Sequence, residues 1–330
     1  MPFFNAIVPK DYKKNERLDK YITCVFKDMN RSKLKSGLIS LTVNGKNAKL
    51  SSKIFSGDEI LLEWDETIPN DIVPENIPID IIYEDKNVTV VNKHQGMVTH
   101  PACGNWNGTL VNALLYHWGR EAVSAVKDGS EAEILSSRRP GIVHRLDKET
   151  CGLMVIAKNP AAASKWIELI SSKQVQKEYT AICFNEPIIN GKKQESGTIS
   201  SAVIKKSIKN QKELAAITNF TVEKTKKIEI LPDLKNEEDS EQPQEKTLIT
   251  LSKIHLKLGT GRMHQIRIHL ASVNAPICGD DKHGNFKLNK LAKKYLKVKN
   301  LLLGSNKITI PQKNGRPKSF EIDLPDYFQF

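Results

Sequence analysis

The run Cys151-Gly152-Leu153-Met154-Val155-Ile156-Ala157 is apolar from end to end, so it reads as a buried strand around which a core must be built. The preceding residues, Val143-His144-Arg145-Leu146-Asp147-Lys148-Glu149-Thr150, are largely polar and read as a turn. Asp147 therefore sits at the mouth of a strand between Arg145 and Lys148, where nearby positive charge favours an ionised carboxylate. An ionised, positioned Asp can act as a nucleophile or a base on a substrate that the neighbouring cations attract. A surface salt-bridge turn is the alternative for a bare Arg-x-Asp.

At 330 residues the chain suits one large domain plus a small one. A hydrophobic fraction of 39% can build a core, and a mean hydropathy of -0.41 reads as soluble. No stretch approaches the roughly 20 apolar residues needed to span a membrane. The start, Met1 to Asp11, lacks the basic opening and long apolar run of a signal peptide. Cys24, Cys103, Cys151, Cys183 and Cys278 are scattered, without a Cys-x-x-Cys pair, which points to a reducing cytoplasm and away from zinc or a disulfide framework. A net charge of +12 calls for a polyanionic partner, nucleic acid first among them. Lysine heavily outnumbers arginine, so the placing of the arginines is more telling. Arg138, Arg139, Arg145, Arg262 and Arg267 lie in or beside the segments that carry candidate chemistry, and a guanidinium fork suits phosphate and base contacts.

Residues 14–64 read as a compact α-β unit. Glu16 to Ile22 starts a helical pattern and Arg31 to Lys35 a second one. Leu41-Thr42-Val43 then ends on an Asn44-Gly45 hairpin turn, and Gly57-Asp58 precedes another strand. Residues 65–78, with Pro69, Pro74 and Pro78, read as a linker. Beyond it, Val88 to Lys93 is a buried strand and Gly108-Thr109-Leu110 opens a helix. Asn159-Pro160 caps another helix, and Gln176 to Cys183 alternates as a strand that presents Tyr179. Residues 233–246 are acidic, contain Pro243 and lack apolar periodicity, and are expected to form a disordered insertion. In Leu258 to Ala271 the glycines allow close approach to a substrate, while Ile266, Ile268 and Leu270 anchor a helix whose N-terminus suits anionic groups. His264 and His269 are five apart, unlike helical zinc ligands.

The string from His144 to Leu153 resembles motif II of the pseudouridine synthases of the RluA type, His-Arg-Leu-Asp-x-x-Thr-Ser-Gly-Leu, with Cys151 in place of the serine. Thr260-Gly261-Arg262-Met263-His264-Gln265-Ile266-Arg267-Ile268-His269 resembles motif III. Asn92-Lys93, His100-Pro101, Gly108 to Leu114 and Pro276 to Asp280 match further patterns in the same order. Three departures stand out: His94 where proline is usual, Lys282-His283-Gly284 where an aromatic is usual, and Leu302 to Ser305 near the usual Leu-His-Ala. Residues 14–64 are similar to the S4 RNA-binding domain, through Arg-Leu-Asp at 17–19, Arg31-Ser32, Val43-Asn44-Gly45-Lys46 and Gly57-Asp58.

The resemblance implies an α+β fold, with a mixed, largely antiparallel central sheet, flanking helices and a small N-terminal S4-like domain, and with residues 79–330 catalytic. It implies isomerisation of uridine to pseudouridine in RNA, in the large-subunit ribosomal RNA or its precursor rather than tRNA, by a cytoplasmic, monomeric enzyme that needs no cofactor, metal or membrane. Asp147 would be the catalytic carboxylate, Arg267 its ionic partner, and Tyr179 the ring that stacks on the uracil. Arg145 would fill the place of the flipped nucleotide, and Arg262 and His144 would contact nearby RNA. Arg17, Arg31, Lys33, Lys35 and Lys46 would touch phosphates, which position RNA without reading its sequence. A non-catalytic RNA-binding protein and an Asp-dependent hydrolase are the rival functions.

Overall fold

In the computed structural model the chain divides into two compact units, Met1–Ile77 with His100–Arg139, and Pro78–Thr99 with Pro140–Phe330. The structure describes all residues except 1–2, 13–15, 27–30, 32–33, 35–37, 65–70, 103, 122, 125–139, 207–210, 231–246, 312–315 and 330. Lys33, Lys35, Arg138, Arg139 and the acidic segment 233–246 lie outside the described residues. Among those described, no helix is long and apolar enough to cross a membrane.

The first unit contains an antiparallel sheet of β1 (Phe3–Ile7), β2 (Leu38–Val43), β3 (Lys46–Asn47) and β4 (Glu59–Trp64), in the order β1-β4-β2-β3. Asn44 and Gly45 join β2 to β3 with φ of 50 and 72°, the left-handed pair that a tight hairpin demands and that this dipeptide tolerates. Helix α1 (Leu18–Val25) shares a core with the sheet: Leu18, Tyr21 and Ile22 cluster with Leu41, Ile60 and Leu62. Asp19 is buried in that helix, where Arg17 reaches it at 3.0 Å and Arg31 at 2.5 Å. Burial pushes this carboxyl up, but hydrogen bonds from both guanidinium groups outweigh it and hold it below its ordinary value.

The described part of the expected linker is tied down within the same unit. Asp71–Ile72 pairs with Val123–Ser124, the Asn112 side chain donates to the Val73 carbonyl at 2.8 Å, and Glu75 accepts from the Gly108 N–H at 3.0 Å. These partners come from helix α2 (Leu110–His117), its approach and the short strand after it, all within the stretch that groups here. Local composition could show the prolines but not the distant partners.

Among the described residues the second unit is built on a nine-stranded sheet. Its strands are β5 (Asp80–Glu84), β6 (Val88–Lys93), β7 (Cys151–Ala157), β8 (Gln176–Phe184), β9 (Ser196–Lys206), β10 (Gln211–Ile230), β11 (Thr247–Leu258), β12 (Leu303–Ile310) and β13 (Lys318–Glu321). The order is β9-β10-β11-β8-β12-β7-β6-β5, with β13 on β12. All pairs are antiparallel except β12 with β7, where Gly304 faces Cys151 and Ser305 faces Gly152. Gly152 is required there: its φ is 111°, and a Cβ would lie 2.2 Å from the Ser305 carbonyl oxygen. The apolar run is the fully buried strand expected, inside this sheet between β12 and β6. β8 differs from the alternating pattern expected, being buried from Glu178 onward because β11 and β12 flank it. Helix α3 (Pro160–Ser171) starts as its sequence directs: the Asn159 side chain accepts from the Ala162 N–H at 2.9 Å, with Pro160 in the first turn. Its Trp166 packs with Val88, Leu153 and Val155. Helices α4 (Gln265–Ser272) and α5 (Phe286–Tyr295) complete the mixed α+β unit.

Candidate active site

An open cleft of about 750 Å³ in the second unit brings Arg145, Asp147, Tyr179, Arg262 and Arg267 together from four places in the sequence. Asp147 comes from the turn before β7, Tyr179 from β8, Arg262 from the loop after β11, and Arg267 from the first turn of α4. The neighbouring strands β8, β12 and β7 make this convergence possible.

The turn that carries Asp147 is held from behind by residues 93–99. Thr99 donates to the Leu146 carbonyl at 2.9 Å, and the Gln95 side chain donates to the Glu149 carbonyl at 2.6 Å. The Lys93 ammonium is buried and donates to three carbonyls, those of His94 at 3.0 Å, Met97 at 2.9 Å and Lys148 at 3.3 Å. Burial lowers its pKa to about 8, against the pull of Cys151, Glu149 and Asp147. His94 is exposed and contributes its carbonyl to this clamp, which a proline would offer equally, so that departure leaves the clamp intact. Lys93→Met strands buried carbonyls at about 1–3 kcal/mol each. A melting temperature lowered by several degrees and a slower single-turnover rate, with RNA affinity kept, are the expected results. A rate equal to wild type would show that the clamp does not position Asp147.

Arg267 faces Asp147 with Nη1 3.7 Å from Oδ2, but its hydrogen bonds go elsewhere. Its Nε and Nη2 donate to the two oxygens of Asp280 at 2.8 and 2.6 Å, a bidentate pair buried beneath the cleft. Burial pushes the Asp280 carboxyl up, yet hydrogen bonds from Arg267 and from the His283 and Lys282 N–H groups hold it below its ordinary value. Asp280 is a site residue that sequence reasoning missed, although its Pro-x-x-Gly-Asp setting is visible in the chain. The sequence singles out His264 only as half of an unsuitable metal pair, yet its Nε2 also lies 3.7 Å from Asp147 Oδ2. Burial pushes the Tyr179 hydroxyl up, and the nearby Asp147 charge adds to the shift. Lys177, two residues earlier on β8, also lines the cleft, and burial lowers its ammonium below the ordinary value.

The expected RNA contacts are placed differently from one another. Arg145 and Arg262 are exposed at the cleft. Arg262 is steadied by its N–H, which donates to Gln265 Oε1 at 3.0 Å. His144 is turned to the backbone: its Nε2 accepts from the Val155 N–H at 2.9 Å, and burial lowers the ring to about 3, so it is neutral. In the first unit Lys46 is exposed. Arg17 and Arg31 are occupied by Asp19, while 53% and 61% of their side chains face solvent. The Cys151 thiol lies 3.9 Å from the Leu303 carbonyl, on the side of β12. Among the described residues no three His, Cys, Asp or Glu side chains converge as a metal site.

Residues 87–272 match a family described as RNA pseudouridylate synthase. The chain is 37% identical over 322 residues to an uncharacterized RNA pseudouridine synthase of Chlorobaculum parvum, covering 94% of this chain and 91% of that one. It is also 37% identical over 326 residues to such a protein of Aquifex aeolicus, covering 95% and 92%. With the ribosomal large subunit pseudouridine synthase D of Yersinia pestis it shares 33% identity over 274 residues, covering 82% and 73%.

Proposed function

We propose that this chain, which belongs to the RNA pseudouridylate synthase family and is an RNA pseudouridine synthase, uses Asp147 as its reacting carboxylate and large-subunit ribosomal RNA as its substrate. The observation that carries the choice of Asp147 is its setting: a half-buried carboxylate in the cleft, its turn clamped by residues 93–99, with a guanidinium 3.7 Å away. In the reaction the bond from C1′ to N1 of the uridine breaks, the uracil turns, and C1′ bonds to C5. The C5 proton leaves and N1 gains one, so nothing is added or oxidised overall. Duplexes stack their bases, so the target uridine is flipped into the cleft or taken from a loop. Arg145 fills the space it leaves, Arg262 contacts adjacent RNA, and Tyr179 stacks on the uracil.

The substrate class rests on the likeness to large-subunit enzymes such as that of Yersinia pestis. Residues 14–64 act as an S4-like RNA-binding domain, with Arg17, Arg31 and Lys46 on phosphates, and the net charge of +12 supports that role. The enzyme works as a cytoplasmic monomer without a cofactor. Purified protein incubated with unmodified large-subunit ribosomal RNA, followed by chemical mapping of pseudouridine, tests the assignment. Conversion in tRNA but not in that RNA would refute the substrate class, and conversion in neither would refute the function.

Tyr179→Phe keeps the ring and removes the hydroxyl. It is expected to bind RNA normally and to turn over about 100-fold more slowly, as befits loss of a proton-transfer group. A near-normal rate would leave the ring as a stacking platform only.

A further inference from the structure

Two imidazoles beside Asp147 have no part in the roles above. His264 Nε2 lies 3.7 Å from Asp147 Oδ2, and its Nδ1 lies 2.8 Å from His283 Nε2. The chemistry of the two partners orders the hydrogens. A carboxylate only accepts, so the His264 hydrogen belongs on Nε2, facing Asp147. Nδ1 is then an acceptor, and His283 must donate from Nε2. The hydrogens therefore point one way along the chain of groups, toward the carboxylate.

The backbone holds both rings in place. His264 caps α4 in the left-handed region with φ of 54°, an uncommon conformation for a residue with a side chain. The His283 N–H donates at 2.9 Å to Asp280 Oδ1, on the same carboxylate that grips Arg267. Gly284 makes that turn close, since a Cβ there would lie 2.2 Å from the Asp280 carbonyl oxygen. One buried carboxylate thus fixes both Arg267 and His283. Arg267 and His264 both face Oδ2 of Asp147.

The geometry points to a directed relay, His283 to His264 to Asp147, in which His283 is a positioning residue that fixes the His264 tautomer and so orients the reacting carboxylate. It rests on Asp147 being that carboxylate. Lys282-His283-Gly284 stands where the resembling family usually has an aromatic residue.

The relay has a pH limit. The charged groups around the rings are Asp147, Asp280, Arg267 and Lys282. Burial lowers His264 below the ordinary histidine value, Asp147 opposes this, and Arg267, Lys282 and His283 add to it. Burial lowers His283 too, with Asp280 and Asp147 opposing and Arg267 and Lys282 adding. Both rings are therefore harder to protonate than an ordinary histidine and gain a proton only below its usual value. A protonated His264 donates from both nitrogens, which breaks the order with His283. The turnover rate should fall on that acid limb.

His283→Phe keeps a ring in the T-shaped contact with His264 but removes the donor. The expected result is a single-turnover rate about tenfold lower, an altered acid limb and unchanged RNA affinity, with His283→Gln restoring most of the rate through its N–H donor. Nitrogen spectra of histidine-labelled wild-type protein, which need no variant to fold, are expected to show His264 protonated on Nε2. Wild-type rate and acid limb in His283→Phe, or a His264 protonated on Nδ1, would overturn the relay. If Asp147→Asn is inactive while His283→Phe is normal, the relay alone fails; if Asp147→Asn is active, the assignment of Asp147 fails and the relay falls with it.

Discussion

Purified Asp147→Asn protein is expected to fold, to bind RNA, and to form pseudouridine at least about 10⁴-fold more slowly than wild type. The amide keeps the size of the carboxylate and removes its charge and nucleophilicity. Folding should survive because the contacts that hold this turn are made by its main chain: Thr99, Lys93 and Gln95 donate to the carbonyls of Leu146, Lys148 and Glu149. Nor is Arg267 left without a partner, since its short hydrogen bonds go to Asp280. RNA affinity should stay level or rise slightly, because one negative charge beside the phosphates has gone. The measurements are a single-turnover assay, a binding titration and a melting curve on the same preparation. A rate close to wild type would remove Asp147 from the chemistry, and a collapse in melting temperature would make it a structural salt-bridge residue.

Asp280→Asn should produce the largest loss of stability. Its carboxylate is 1% exposed and accepts both hydrogen bonds of the Arg267 fork. Removing the charge leaves a buried guanidinium with half-buried Asp147, 3.7 Å away, as its nearest remaining counter-charge. Breaking a buried pair from one side typically costs about 3–5 kcal/mol, a fall in Tm on the order of 10 °C for a unit of this size. Asp281→Asn is the control: that side chain is 91% exposed and 3.8 Å from Arg267, so its loss should change the melting temperature little. The pH dependence follows the same pair. The folded-state value of Asp280 lies below the ordinary one, so its stabilisation is complete above the ordinary carboxylate range and is lost as pH falls through the folded value. The variant should therefore lose part of the acid sensitivity of wild type. Equal melting temperatures for wild type and Asp280→Asn would mean that the Arg267 pair contributes nothing net.

Local signals make several elements legible in the chain itself. The apolar run 151–157 reads as a buried strand and is one, Asn44-Gly45 accepts the left-handed angles of a hairpin, and Asn159-Pro160 caps a helix through its own next turn. Each of these depends on neighbours within a few residues, so composition and spacing suffice. The motif strings likewise mark the segments that bear Asp147, Tyr179 and Arg267, and the cleft contains all three.

Which of these groups touch is settled only in three dimensions. The order β8-β12-β7 brings distant strands side by side, so Lys93 reaches a carbonyl 55 residues away and Gln95 one 206 residues away. Arg267 could have been bound by either of two nearby aspartates; the turn at 280–284 gives its short hydrogen bonds to Asp280 and leaves Asp147 at 3.7 Å. Arg17 and Arg31 converge on a buried Asp19, and His144 satisfies a strand N–H instead of facing outward. Element types and the segments that line the cleft are written in the chain, because propensity and apolar patterning act locally. The partner of each charge waits on the fold, because a charged side chain takes whichever counter-charge the packing brings within hydrogen-bond reach.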